Sequence, residues 1–144
     1  MNILSHTIIS AVIAMILWPF FGFWSLLVLV GGVLVDSDHL FWYVVTHRKF
    51  SIRKAYVYCM NIELEKNIPE YLSVVVIFHS YETVIALVLL ATIIPQTIPL
   101  ALGLVVHLLL DFVHIYSLYK KSYFLTLFKK SAVIFLYKTF FARK

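Results

Sequence analysis

Four long apolar runs, separated by short polar or turn-forming segments, dominate the chain. They cover approximately residues 3–17, 20–35, 71–94 and 98–116. A membrane-spanning helix needs about 17 to 25 mostly apolar residues, so the last two runs are long enough and the first two are short. Trp18, Pro19 and Gly22 lie between the two short runs and predict a turn that folds them into a tight hairpin. The pattern predicts an all-α polytopic membrane protein, with about four transmembrane helices in a small bundle.

The first apolar run and the C-terminal residues decide how the chain divides into domains. The first run has no basic leading region and no small-residue cleavage signature, so we expect a retained helix rather than a signal peptide. Residues 118–144 alternate lysines with aromatic and aliphatic side chains, which predicts an amphipathic helix lying in the membrane interface. We therefore predict a transmembrane helical metal-binding domain over residues 1–117 and a basic amphipathic tail over residues 118–144.

Composition and charge agree with a membrane protein. Hydrophobic residues make up 62% of the 144 residues and charged residues 13%, which excludes an ordinary soluble domain. The formal net charge of +5 comes from basic residues confined to 48–66 and 120–144, both of which flank apolar runs. The positive-inside rule then predicts a plasma (inner) membrane protein with cytoplasmic N and C termini. Anionic lipids, not nucleic acid, are the predicted partners of these basic segments.

Acidic and imidazole side chains interrupt the apolar runs. Four of the seven acidic residues and at least four of the six histidines lie within or at the ends of these runs. A carboxylate at the bilayer centre costs about 2.5 to 3.5 kcal/mol, and no Lys or Arg occurs before Arg48 or between Asn67 and Tyr119. A bound metal ion would compensate these carboxylates, and the single Cys59 leaves nitrogen and oxygen as its ligands. The predicted metal ligands are His6, Asp36, Asp38, His39, His79, Glu82, His107 and Asp111.

The predicted topology brings these residues to one depth in the inner leaflet. His79 and Glu82 fall two to three turns into the third predicted helix, and His107 and Asp111 lie in the second half of the fourth. Imidazole and carboxylate ligands suit zinc best, with iron or manganese as alternatives, and eight donors allow one or two ions. Such a site activates water for hydrolysis, with Glu82 and Asp38 as the predicted catalytic groups.

Each cluster also has a structural alternative. His107 and Asp111, at i, i+4, can simply hydrogen-bond across a buried interface, and Glu82 can be a protonated acid bonded to a neighbouring helix. Residues 36–39 can be a capped helix end, since in an ideal helix Asp38 points away from the face that carries Asp36 and His39. His6 can be an isolated histidine near the membrane surface. Asp36, Asp38 and His39 can all bind one metal ion only if the helix ends or bends within the 36–39 segment.

Two further histidines and two other functions remain open. His114 follows on the same face as His107 but approaches the interface, and His47 adjoins Arg48 at a loop start, outside the predicted metal set. The same cluster also suits a membrane transporter or channel for protons or divalent cations, and facing histidines suit a haem bundle. Four short helices form a minimal bundle, so a homodimer is an alternative to a monomer.

Several short motifs resemble a known family. They are an N-terminal histidine (His6), Asp-x-Asp-His at 36–39, His-Ser at 79–80 and His-x-x-x-Asp at 107–111. In this order they resemble the inner-membrane-associated metal-dependent hydrolases, a family also described as LexA-binding. The resemblance implies a membrane hydrolase with His39, Asp36 or Asp38, His79, His107 and Asp111 as metal ligands. Together with the depth of the site, it predicts a phosphoester or ester of a lipid or lipid-linked substrate.

Overall fold

A computed structural model describes residues 3–65 and 77–119, and these residues form helices joined by short turns. Short 3₁₀ segments at Gly22–Leu26, Leu34–Asp36 and Pro95–Thr97 connect some of the helices. The predicted all-α fold is therefore confirmed for the described residues, and the predicted tail lies outside them beyond Tyr119. The α-helices are α1 (Ile3–Phe21), α2 (Leu27–Gly32), α3 (Ser37–His47), α4 (Ile52–Leu64), α5 (Tyr81–Ile93) and α6 (Ile98–Tyr119).

The predicted hairpin turn occurs at Gly22. This residue directly follows α1 and has φ of +51°, the left-handed conformation that commonly ends a helix and favours glycine. The chain then reverses, so that α2 packs against α1, and Gly32 at the end of α2 lies beside Ser10. This reversal returns the chain towards the end of α1 that carries His6.

Glycines bring the backbones of α2 and α6 into contact. A Cβ atom on Gly31 would overlap the carbonyl oxygen of Leu100, and one on Gly103 would overlap that of Val28. Small residues let membrane helices approach until their backbones touch, which maximises van der Waals packing where lipid provides no hydrophobic driving force. The glycines thus fix the position of α2 against the half of α6 that precedes His107.

The buried and exposed residues are distributed as expected for a protein in lipid. The buried polar side chains include His6, Ser10 and His107, whereas large apolar residues such as Phe20 and Ile93 are mostly exposed. Two helical stretches, Ile3–His47 and Pro95–Ser117, are long and apolar enough to cross a membrane. Within the most apolar 18 residues of each stretch, only 17% and 28% respectively are buried. A core helix of a soluble protein would be mostly buried.

Helix α3 continues the second apolar run up to the polar segment that begins at Arg48. It extends to His47 and ends at Arg48, whose φ is +52°. Packing stabilises these turns of α3, because Trp42 packs against Ile62 and Tyr43 contacts Tyr58, both on α4. The predicted loop over 48–66 accordingly contains α4, in agreement with the mixed polar character of this segment.

Candidate metal centre

A break between α2 and α3 brings both aspartates of the 36–39 segment to the site. Gly32 ends α2, Val33 leaves helical geometry with φ of −132°, and a 3₁₀ turn carries the chain through Asp36 into α3. The bend required for Asp36 and Asp38 to face one centre is therefore present. Asp38 is 5% exposed and Asp36 is 27% exposed, so the two carboxylates differ in access as well as position.

The prediction that His79 lies two to three turns inside a continuous helix is wrong. His79 occupies a turn at residues 77–80, and α5 begins only at Tyr81. Local hydrogen bonds explain the start of the helix: the Ser80 hydroxyl accepts from the backbone N–H of Thr83, and the Thr83 hydroxyl donates to the carbonyl of Ile77. The turn directs the His79 ring towards Asp38 and His107.

Four side chains from three parts of the chain converge on one point. The His79 Nε2 atom lies 3.0 Å from His107 Nε2, and Asp36 Oδ1 lies 3.4 Å from each of these two nitrogens. Asp111 Oδ2 lies 3.3 Å from His107 Nε2 and 3.7 Å from His79 Nε2. These four residues can hold a metal ion.

Hydrogen bonds on the far side of each ring fix which nitrogen faces this point. His107 Nδ1 donates to the carbonyl of Gly32 at 3.0 Å, and His79 Nδ1 donates to Asp38 Oδ2 at 3.2 Å. Because these oxygens only accept, each Nδ1 carries a proton, and each ring in its neutral form presents a bare Nε2 lone pair to its neighbour. Two lone pairs 3.0 Å apart repel each other unless a proton or a cation lies between them.

The separations favour a cation over a single shared proton. With bond lengths of about 2.0 to 2.2 Å, tetrahedral zinc ligands lie about 3.4 Å from one another. The five separations that involve a histidine nitrogen range from 3.0 to 3.7 Å. The Nε2-to-carboxylate distances of 3.3 to 3.7 Å exceed the roughly 2.7 to 2.9 Å of charge-assisted hydrogen bonds. The donor set therefore fits a metal ion better than it fits a hydrogen-bonded network.

Further contacts hold these ligands in place. His6 Nε2 lies 3.1 Å from Asp111 Oδ1, which leaves Oδ2 of that carboxylate directed at the centre. The His6 ring also stacks on His107, with 4.1 Å between their centroids. Asp38 accepts a hydrogen bond from the Phe78 N–H as well as from His79, so it ties the 77–80 turn to α3. His6 and Asp38 thus occupy the supporting positions that orient metal ligands in proteins.

A second group of ligand atoms adjoins the first. Asp38, His39 and His79 also offer ligand atoms within 4.8 Å of one another. His39 Nδ1 lies 3.0 Å from Asp38 Oδ1 and 3.7 Å from Asp36 Oδ1. The two groups share His79, and Asp36 lies between them.

Six of the eight predicted ligands therefore belong to these two groups. His6 contacts the first group only through Asp111 and His107, and Glu82, half-buried in the first turn of α5, belongs to neither group. The catalytic roles of Glu82 and Asp38 stay predictions. His47 stacks on Tyr43 and lies outside both groups. His114, half-buried, is also outside them.

One functional contact is not predicted from the sequence, namely the backbone carbonyl of Gly32. It accepts from His107 Nδ1 only because the glycine contacts between α2 and α6 bring the two backbones together. A signal for it is present in the sequence, since Gly103 lies four residues before His107, on the same helical face.

A haem does not fit this arrangement. Axial imidazoles lie on opposite faces of a flat macrocycle, whereas here two carboxylates surround the pair of facing nitrogens. Comparison of the chain with protein-family models, with curated proteins and with solved structures gives no match, so the chemistry of the site follows from its geometry alone.

Proposed function

We propose that this protein is a metal-dependent membrane hydrolase that cleaves a phosphoester or ester of a lipid or lipid-linked substrate. One observation carries the proposal: the imidazoles of His79 and His107 direct their Nε2 atoms at one point between two carboxylates. Neither a packing role nor simple helix capping requires that arrangement. Its ligands come from distant parts of the chain, which is typical of a site formed by the complete fold.

Zinc is the proposed ion. Two imidazole nitrogens and two carboxylate oxygens at near-tetrahedral separations are a common zinc donor set, whereas manganese and magnesium prefer six mostly oxygen ligands. Iron(II) is the nearest competitor, because it also accepts mixed imidazole and carboxylate ligands. When bound, the ion would lower the pKa of a coordinated water to about 7 and polarise the ester oxygen.

The proposed site is accessible on the Asp36 side. His107 is fully buried and Asp38 is 5% exposed, whereas Asp36 and His39 are 27% and 29% exposed. A catalytic zinc site keeps one position for water or substrate, unlike a closed structural site. We propose that substrate enters beside Asp36 and His39, that Asp38 positions His79, and that Glu82 acts as general base.

The proposed substrate follows from the surroundings of the site. The first candidate span turns back at Gly22, so with α5 and α6 the chain can cross the bilayer four times, both termini being cytoplasmic. The metal ligands then lie within the membrane, towards the side of the basic segments. A lipid or a lipid-linked compound reaches that depth, whereas a fully soluble substrate does not.

Metal analysis of the purified protein tests the site. We expect at least one equivalent of zinc in wild type and a large loss in both His107→Ala and Asp111→Asn. His47→Ala is the matched control, because this histidine lies outside both ligand groups. Wild-type protein that retains its helical circular dichroism but contains no stoichiometric metal after zinc loading would rule out the proposed function.

Activity and orientation are tested separately. Zinc-loaded protein in mixed micelles should hydrolyse a member of a phospholipid and lipid-ester panel, and His107→Ala should not. Cys59 is the only cysteine and lies on α4 in the predicted cytoplasmic segment. A membrane-impermeant maleimide should therefore label it, after expression in a bacterial inner membrane, in inverted vesicles and not in intact cells.

A second candidate function is a proton or divalent-cation pathway. The observation that favours it is the continuous chain of contacts from His6 through Asp111 and His107 to Asp36 and His39, each between 3.0 and 3.7 Å. Such a chain can relay protons across part of the bilayer. Zinc or proton flux into liposomes, abolished by Asp111→Asn, would support transport, and tight zinc retention without flux would support the hydrolase.

A further inference from the structure

We propose that the centre binds a second divalent cation, held by Asp38 and His39 and joined to the first through Asp36. This inference rests on the proposed function, because it adds an ion to the site formed by His79, His107 and Asp111. It turns a mononuclear centre into a dinuclear one. Dinuclear centres typically act on phosphoesters, where the two ions stabilise the attacking and leaving oxygens.

Two buried atoms without hydrogen bonds mark the second position. Asp38 Oδ1 and His39 Nδ1 are both buried from solvent, and neither has a hydrogen-bond partner in the described part of the chain. They lie 3.0 Å apart, close enough for a hydrogen bond by distance, but their relative orientation does not satisfy one. A cation attracts both atoms regardless of the direction of an N–H bond, so it accounts for this pair where a hydrogen bond does not.

The two oxygens of the Asp38 carboxylate have different contacts, which supports a cation at this second position. Its Oδ2 atom accepts from the Phe78 N–H and from His79 Nδ1, and so serves the first ion through His79. Its Oδ1 atom faces His39 with no such partner among the described residues. An ionised carboxylate oxygen buried without a hydrogen bond is costly, and a cation at this point would remove the cost.

Asp36 is placed to connect the two ions. Its Oδ1 atom is 3.4 Å from His79 Nε2 and from His107 Nε2, and 3.7 Å from His39 Nδ1. Ligand atoms that share a cation are expected about 3.4 Å apart. Asp36 therefore lies within ligand range of both groups, as a bridging carboxylate must.

The balance of charge also favours two ions. Within the described residues, Asp36 and Asp38 form ion pairs with histidine rings only. With Asp111 they make three carboxylates around imidazoles whose neutral forms bind metals. One divalent ion leaves an excess negative charge in the centre, and a second converts it to a small positive charge that suits a phosphate anion.

Metal stoichiometry with manganese and zinc tests the proposal. Wild-type protein in detergent should bind two equivalents of either metal, and His39→Ala should bind one. His39 is the suitable variant because it is partly exposed and contributes to the second position without touching His107. Electron paramagnetic resonance of the manganese-loaded protein should show an exchange-coupled pair in wild type and an isolated ion in His39→Ala.

The outcomes separate this inference from the proposed function. One equivalent in wild type, with an isolated-ion spectrum, overturns the second site and leaves the first intact. Two equivalents in both wild type and His39→Ala also overturn it, because the second ion would then lie elsewhere. No bound metal in folded wild type rejects both proposals. Should His39→Ala fail to fold, His39→Gln replaces it, and the wild-type stoichiometry still decides.

Discussion

Substitution of Gly31 by alanine should weaken metal binding although this residue touches no metal ligand. A Cβ atom at this position would overlap the Leu100 carbonyl oxygen and come within 2.8 Å of the Leu104 nitrogen, where ordinary contact begins at 3.4 Å. Both obstacles are backbone atoms, so no side chain can rotate away. The α2 and α6 backbones must therefore separate by about 0.6 Å or more.

This separation breaks the bond that orients His107. The distance from Gly32 O to His107 Nδ1 is 3.0 Å, and an increase of about 0.6 Å takes it beyond the range of a hydrogen bond. Loss of such a supporting partner typically lowers metal affinity about 10- to 100-fold, equivalent to roughly 1.4 to 2.8 kcal/mol. Competition for zinc with a chromophoric chelator measures this loss directly in detergent-solubilised protein.

Gly22→Ala is the matched control for this experiment. A methyl group there meets nothing within 4 Å, but the φ of +51° strains alanine by about 1 kcal/mol. We therefore expect lower stability with unchanged zinc affinity in Gly22→Ala, and lower zinc affinity in Gly31→Ala. Equal zinc affinity in folded Gly31→Ala and wild type would refute the link between helix approach and ligand orientation.

Three other predictions concern the same bundle. Gly32→Ala should destabilise the protein, because its Cβ would overlap the Ser10 hydroxyl. A second substitution, Ser10→Gly in the same chain, should restore much of the thermal stability. Absence of this recovery would contradict a local clash. Ser80→Ala should lower the unfolding free energy by about 1 kcal/mol through loss of the helix cap, whereas the exposed Thr92→Ala should change it by less than about 0.5 kcal/mol. Zinc affinity should decrease as the pH falls, by up to about tenfold per pH unit for each of the two central imidazoles, because protons compete for the nitrogens that bind metal. An affinity independent of pH between about 5 and 7.5 would exclude imidazole ligation.

Apolar patterning and composition are sufficient to predict an all-helical chain and six of the residues that meet at the centre. A carboxylate in an apolar run is costly without a polar or charged partner, so the sequence alone predicts that Asp36 and Asp111 belong to an interior site. Backbone geometry between the runs is less predictable. The helix break after Gly32 and the turn before Tyr81 depend on tertiary contacts and on Ser80, and the apolar pattern is continuous across both.

The supporting roles of His6 and Asp38 are also beyond the sequence. Spacing identifies which residues share a helix face, but not which oxygen of a carboxylate faces the centre. Asp38 illustrates the difference, since one of its oxygens holds His79 while the other faces His39. Such an assignment requires the relative positions of three separate segments.

The glycine contact between α2 and α6 has a consequence for how this protein can diverge. Exposed apolar positions tolerate almost any apolar residue, but a side chain at Gly31 or Gly103 would separate the two backbones. Descendants that retain the chemistry must then keep a Gly-Gly pair that ends four residues before Asp36 and a glycine four residues before His107. A composite signature of paired glycines and spaced ligands would recognise distant relatives of this chain after overall similarity has faded.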